Sequence, residues 1–223
     1  MKFDAVLFDC DGVLVDSEHI TTSVLRDMLA ERGWVMTPQE CLQTFLGKAV
    51  ADQAPLIEAR TGAALSPEWM VQYRRRRDAR LATEVRAIPH IREALAALRA
   101  CLGVRMACAS GADRPKIELQ LERTGLAPFF AGRIFSGQEQ ALNKPAPDVY
   151  LAAARAVGVA PARCAVVEDS PTGVRAGVAA GATVFGYAAQ GDGAALKAAG
   201  ATRVFGNMGE LPALLGLPGS SLP

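Results

Sequence analysis

The chain has 223 residues, half of them hydrophobic, with 24 Lys plus Arg against 23 Asp plus Glu for a formal net charge of +1. It is long and apolar enough to bury a large core, which excludes disorder as the default state, and its balanced charge argues against a dedicated polyanion binder or a membrane-surface protein. Five cysteines, Cys10, Cys41, Cys101, Cys108 and Cys164, contain no CxxC pair and read as reduced, mostly buried thiols. With no visible signal peptide and no apolar run long enough to span a bilayer, the cytoplasm is the expected compartment.

Residues 3–8 form a short, mostly apolar run of the kind that makes a strand buried on both faces. The run stops at Asp9 and Asp11, followed by Gly12, so a tight loop at the strand end gathers two acids. Packing like charges there calls for a counter-ion. A hard divalent cation such as Mg²⁺ is the simplest, and it leaves one carboxylate placed to attack phosphorus.

Ser17-Glu18 offers a helix start with an acid in the first turn, and Gly33 a stop. Thr37-Pro38-Gln39-Glu40 reads as a capping box, Gly47 and Gly62 interrupt the helical pattern, and Ser66-Pro67 opens another helix. Residues 17–83 thus hold helices and no convincing strand, which predicts a small helical subdomain inserted into an α/β fold. The arginine run Arg74, Arg75, Arg76 and Arg77 within it reads as a solvated helix face, and Trp34 and Trp69 as its packing.

After Pro89 helices and strands alternate. Ile91, Leu95, Leu98 and Leu102 keep helical spacing; strands are predicted at 104–109, 133–136, 164–167 and 183–187, with a weaker one at 203–205 and a last helix over 209–215. The helices between end near Gly125, Gly158 and Gly181, and residues 216–223 read as a loose tail. The pattern predicts a Rossmann-like, doubly wound parallel sheet, in which ligands bind beyond the carboxyl ends of the strands. Asp9, Ser110, Lys144, and Glu168 with Asp169 all fall at that edge, although more than a hundred positions separate some of them.

These segments carry a resemblance. Asp9-Cys10-Asp11-Gly12, the serine of Ala107-Cys108-Ala109-Ser110-Gly111, the lysine of Asn143-Lys144-Pro145-Ala146-Pro147-Asp148 and the acids of Val166-Val167-Glu168-Asp169 match, in order, the four motifs of the haloacid dehalogenase superfamily. The resemblance covers most of the chain. It implies a core of residues 1–16 and 84–223, with 17–83 as a mobile helical cap over the active site. It implies Asp9 as nucleophile forming an aspartyl phosphate, and Asp11 as general acid and then base, its backbone carbonyl also a metal ligand. Ser110 and the amide of Gly111 would bind a phosphoryl oxygen, Lys144 would offset the gathered negative charge, and Asp169, with Glu168 beside it or behind it, would hold Mg²⁺. Lys48 lies where cap residues of similar enzymes reach the substrate. Dehalogenases and phosphonate hydrolases of the superfamily lack a second aspartate at the position of Asp11, so the sequence sides with phosphate transfer.

Within the superfamily the first motif, with Ile134-Phe135-Ser136-Gly137, is similar to the branch of 6-phosphogluconate and other sugar phosphatases, with phosphoglycolate phosphatases next. The expected partner is a small phosphorylated metabolite, with no nucleic acid and no membrane, and the expected assembly is a monomer or weak homodimer. Two alternatives stay open. A β-phosphoglucomutase shares fold, metal and aspartyl phosphate, but such mutases carry Arg and Ser in the cap where Val50 and Gln53 stand here. A non-catalytic phosphate-binding or phosphoacceptor module, like a response-regulator receiver, also uses an Asp cluster and a lysine, but receivers are shorter and lack an insertion after the first strand.

Overall fold

The structure, a computed structural model, describes residues 2–45, 48–103, 105–189 and 193–217. Expectations resting on Gly47, Val104 and the tail beyond Leu217 lie outside them. In chain order the elements are β1 (Ala5–Phe8), β2 (Val15–Asp16), α1 (Glu18–Ala30), α2 (Pro38–Phe45), α3 (Ala54–Thr61), α4 (Pro67–Glu84), β3 (Arg86–Ala87), α5 (Ile91–Leu102) and β4 (Met106–Ser110). Then come α6 (Arg114–Arg123), β5 (Ile134–Ser136), α7 (Asp148–Ala156), β6 (Cys164–Glu168), α8 (Pro171–Ala179), β7 (Thr183–Tyr187), α9 (Ala194–Ala198), β8 (Arg203–Phe205) and α10 (Leu211–Leu214). The chain divides into two compact units, Met1–Val15 with Ala87–Pro223, and Asp16–Arg86.

The first unit is built on a six-stranded sheet in the order β5-β4-β1-β6-β7-β8, every neighbouring pair parallel. Both faces of its central strands are buried, which is why they read as continuous apolar runs rather than alternating ones. Ala5, Leu7, Ala107, Ala109, Val166 and Val184 pack with Val149, Tyr150 and Ala153 of α7 and Val174 and Ala176 of α8. The alternate residues Val6, Phe8, Met106, Cys108, Ala165 and Val167 are equally buried, and Phe8 meets the ring of Phe130 edge-on at 5.9 Å. Fully burying a side chain such as Phe8 contributes roughly 1.5–3 kcal/mol each time it occurs. The fold is the α/β, Rossmann-like architecture expected from the sequence. The helices before β5, β6 and β7 turn out through Gly125, Gly158 and Gly181, all with positive φ. Ser110 and Glu168 are the last residues of their strands rather than the first beyond them.

The described residues of the unit Asp16–Arg86 form four α-helices around a core of their own. Val24, Leu25, Met28 and Leu29 of α1 make an apolar stripe that meets Cys41 and Phe45 of α2, Ile57 of α3, and Trp69 and Tyr73 of α4. The capping box forms in full: Thr37 N and Oγ1 donate to Glu40 Oε2 at 2.8 Å, and Glu40 N donates back to Thr37 Oγ1 at 3.2 Å. Ser17, by contrast, makes no side-chain cap bond. Its backbone is already helical (φ −118°, ψ −13°), whereas a capping hydroxyl reaches back from an extended residue. The arginine run is likewise not wholly solvated: Arg77 is buried, with Nε donating to Asp78 at 2.8 Å and the guanidinium over the Tyr73 ring.

Candidate active site

Asp9 leaves β1 directly after Phe8, and its amide donates to Val167 O at 3.0 Å, extending the ladder to β6 by one bond. The chain then turns back sharply. Cys10 O accepts from the amides of Leu14 and Val15, and Gly12 N donates to Val15 O at 2.9 Å. Gly12 takes φ +72°, and a Cβ there would collide with the Asp169 carboxylate. A side chain at position 12 would therefore separate the acids that the loop brings together.

Lys144, in the loop before α7, sends its ammonium into this cluster. Nζ donates at 2.7 Å to Asp9 Oδ1, at 2.7 Å to Glu168 Oε1 and at 3.1 Å to Tyr150 OH. The Lys144–Pro145 peptide bond is cis. Burial opposes the lysine's charge, but Asp9 and Glu168 outweigh it and hold its pKa well above the usual lysine range. Burial lifts the Asp9 carboxyl to about 7, against the pull of Lys144 and with the push of Glu168 and Asp11.

Glu168 is fully buried and saturated with donors. Oε1 accepts from Lys144 and, at 2.8 Å, from Tyr150 OH; Oε2 accepts from the amides of Asp169 and Ser170 and from Ser170 Oγ. Gly173 in the first turn of α8 makes room for it, because a Cβ there would overlap the carboxylate. Ser170 Oγ accepts from Gly173 N at 3.0 Å and so caps α8 while holding Glu168.

One oxygen each of Asp9, Glu168 and Asp169 lie within 4.8 Å of one another, the group of that kind found among the described residues. Three close carboxylates, one with its proton affinity raised by burial and like charge, make a donor set that fits a hard, oxygen-seeking cation. Glu168, with five donors already on it, is suited to fixing Lys144 and the strand end, while Asp9 and Asp169 complete the cluster.

The remaining expected residues are placed as follows. Ser110 is buried at the end of β4 and accepts from Ala112 N at 3.2 Å, while Asp113 caps α6 by accepting from Lys116 N at 3.2 Å. Asn143 ties this loop to the lysine loop: Nδ2 donates to Gly111 O at 3.0 Å and Oδ1 accepts from Lys144 N at 2.8 Å. Lys48 lies in the other compact unit, exposed, with Nζ donating to Thr44 O at 2.8 Å. Asp11 carries a feature that sequence reasoning missed. Its Oδ1 accepts from Lys116 Nζ at 2.7 Å and from Gln120 Nε2 at 2.9 Å. Tyr150 and Asn143 were missed too; the sequence signal was their place beside the lysine, on the loop and on the first turn of α7.

Residues 3–181 match the family model described as haloacid dehalogenase-like hydrolase. The 6-phosphogluconate phosphatase of Escherichia coli is 30% identical over 189 residues, covering 84% of this chain and 84% of its own. Hexitol phosphatase A of the same organism is 31% identical over 196 residues, 86% of each chain. A crystal structure of a HAD family hydrolase from Deinococcus radiodurans, with bound phosphate and sodium, superposes with a TM-score of 0.77 at 37% identity, over 96% of this chain and 95% of that one. The matched span takes in Asp9, Ser110, Lys144 and Asp169 alike, and the chain belongs to the haloacid dehalogenase-like hydrolases.

Proposed function

We propose that this hydrolase is a Mg²⁺-dependent phosphatase that cleaves a small phosphorylated metabolite, of sugar phosphate or phosphoglycolate type, through an aspartyl phosphate on Asp9. The observation that carries the reading is the Lys144 ammonium lying 2.7 Å from both Asp9 and Glu168 at the carboxyl edge of the sheet. A buried cation against the proposed nucleophile offsets the charge that a phosphoryl group brings to a carboxylate. A carboxylate oxygen of Asp9 attacks phosphorus, the ester P–O bond breaks, and the departing oxygen takes a proton from Asp11. Water then attacks the aspartyl phosphate and yields its proton to Asp11, so phosphate leaves and Asp9 is restored. Ser110 Oγ and the Gly111 amide bind phosphoryl oxygens in both steps. Asp9, Asp169 and the backbone carbonyl of Asp11 would hold Mg²⁺, with Glu168 beside them, and the ion would supply further neutralisation of the phosphoryl oxygens.

The names of the relatives, a 6-phosphogluconate phosphatase and a hexitol phosphatase, support a polyol or sugar-acid phosphate as substrate. Val50 and Gln53, where β-phosphoglucomutases carry Arg and Ser, support hydrolysis over isomerisation. Phosphate release from 6-phosphogluconate, hexitol phosphates and phosphoglycolate, with Mg²⁺ and with chelator, tests the reading, β-glucose 1-phosphate being scored for isomerisation in parallel. Mg²⁺-dependent release from one of the panel is expected. Formation of glucose 6-phosphate with no release from any of them would replace the phosphatase by a mutase.

A further inference from the structure

Lys116 and Gln120 lie one turn apart on α6, so their side chains share one helix face. That face points at Asp11, 105 and 109 positions away in sequence, and both donors converge on its Oδ1 at 2.7 and 2.9 Å. Cys10 Sγ donates to Gln120 Oε1 at 3.6 Å, which turns the amide so that Nε2 faces the carboxylate. The surroundings are largely dry: Gln120 is fully buried, and the side chains of Lys116 and Asp11 are 9% and 21% exposed.

Lys116 stands in the first turn of α6 and is buried. A cation near the first turn stands at the positive end of the helix, and burying it adds a desolvation cost. Asp11 offsets both. The loop backbone around Asp11 is already fixed by the bonds of Cys10 O and by the Asp11–Val15 bridge, so the freedom left to Asp11 is rotation of its carboxylate. Two donors on one oxygen remove that rotation.

We infer that Lys116 and Gln120 are positioning residues that hold the Asp11 carboxylate in the orientation from which it gives its proton to the leaving oxygen. The inference rests on the general-acid role proposed above for Asp11. Its consequence depends on the leaving group. When the ester P–O bond of an alkyl phosphate breaks, the electron pair settles on a strongly basic oxygen that needs a proton; p-nitrophenolate departs without one. Misorienting Asp11 therefore slows formation of the aspartyl phosphate from the first substrate class and spares it from the second, whereas the later step in which Asp11 takes the proton of water is common to both.

The test compares wild type, Lys116→Met, Lys116→Arg, Gln120→Met and Asp11→Asn on an alkyl phosphate turned over by the wild type and on p-nitrophenyl phosphate, with thermal unfolding as a folding control. For Lys116→Met, the single-turnover rate of alcohol release from the alkyl ester, with enzyme in excess, is expected to fall about 100-fold, the low end for loss of general acid catalysis. Its pre-steady-state release of p-nitrophenolate should stay within about threefold, and Lys116→Arg should recover most of the loss on the alkyl ester. Gln120→Met should show the same pattern more weakly. Equal losses in leaving-group release from both substrates would mean a structural salt bridge and overturn the inference. So would alkyl ester turnover that Asp11→Asn removes and Lys116→Met leaves intact. Alkyl ester turnover unchanged in Asp11→Asn would overturn the general-acid reading itself, and the inference with it.

Discussion

Glu168 accepts from five donors, and that saturation explains why a fully buried carboxylate is tolerated at a strand end. Tyr150 packs its ring in the core and donates its hydroxyl to Glu168 at 2.8 Å, while the same hydroxyl accepts from Lys144 Nζ at 3.1 Å. Tyr150→Phe keeps the ring and removes that donor. It is expected to lower stability by about 1–3 kcal/mol in urea unfolding and, through a less firmly held Lys144, to reduce kcat roughly 10-fold. Unchanged stability and turnover would show that Glu168 and Lys144 hold their geometry without it. At this scale the sequence was legible where a residue type announces its chemistry: Asp9, Asp11, Lys144 and Asp169 stood out as acids and a cation at strand ends or in stiff loops. Tyr150, Lys116 and Gln120 did not, because they act by reaching across more than a hundred positions or from inside a helix face that looks like packing. A lysine and a glutamine at i and i+4 just after a helix cap are ordinary surface residues until the strand they face is known.

Among the elements, local chemistry was read correctly where the signal is contained within one turn. The Thr37–Glu40 box is such a case, and it carries a pH dependence. Bonds from the Thr37 amide and hydroxyl hold the Glu40 carboxyl below its usual value. A depressed carboxylate stabilises the folded chain above the unfolded pKa, and this contribution is lost as pH falls through the folded one. Glu40→Gln is therefore expected to lower the Tm at pH 7 and to make no difference well below about pH 4, where the wild-type residue is itself protonated. A Tm difference that stays constant over that range would remove the charge from the explanation. Ser17 does not cap because its backbone is already helical, a conformation that its residue type and the acid after it do not reveal. The burial of Arg77 escaped notice for a related reason: three exposed neighbours mask one arginine whose stem turns in beside Tyr73.

For the whole molecule, the order β5-β4-β1-β6-β7-β8 places the first strand in the middle and sends the chain first to one side of it and then to the other. The crevice where that direction reverses lies between β1 and β6, and it is there that Asp9 meets Glu168 and Asp169. The alternation of helix and strand made a parallel sheet legible, and with it the edge at which the acids gather. It did not give the strand order, which follows from long-range pairing, nor the depth at which Lys144 is buried between two carboxylates. In the proposed reaction one atom, a carboxylate oxygen of Asp9, forms the bond to phosphorus. The most direct measurement is peptide mapping by mass spectrometry after acid quench of the enzyme turning over substrate with Mg²⁺. Phosphate is expected on the peptide containing Asp9, and neither that label nor turnover in Asp9→Asn. Undiminished phosphate release by Asp9→Asn, or label on another peptide, would contradict the account.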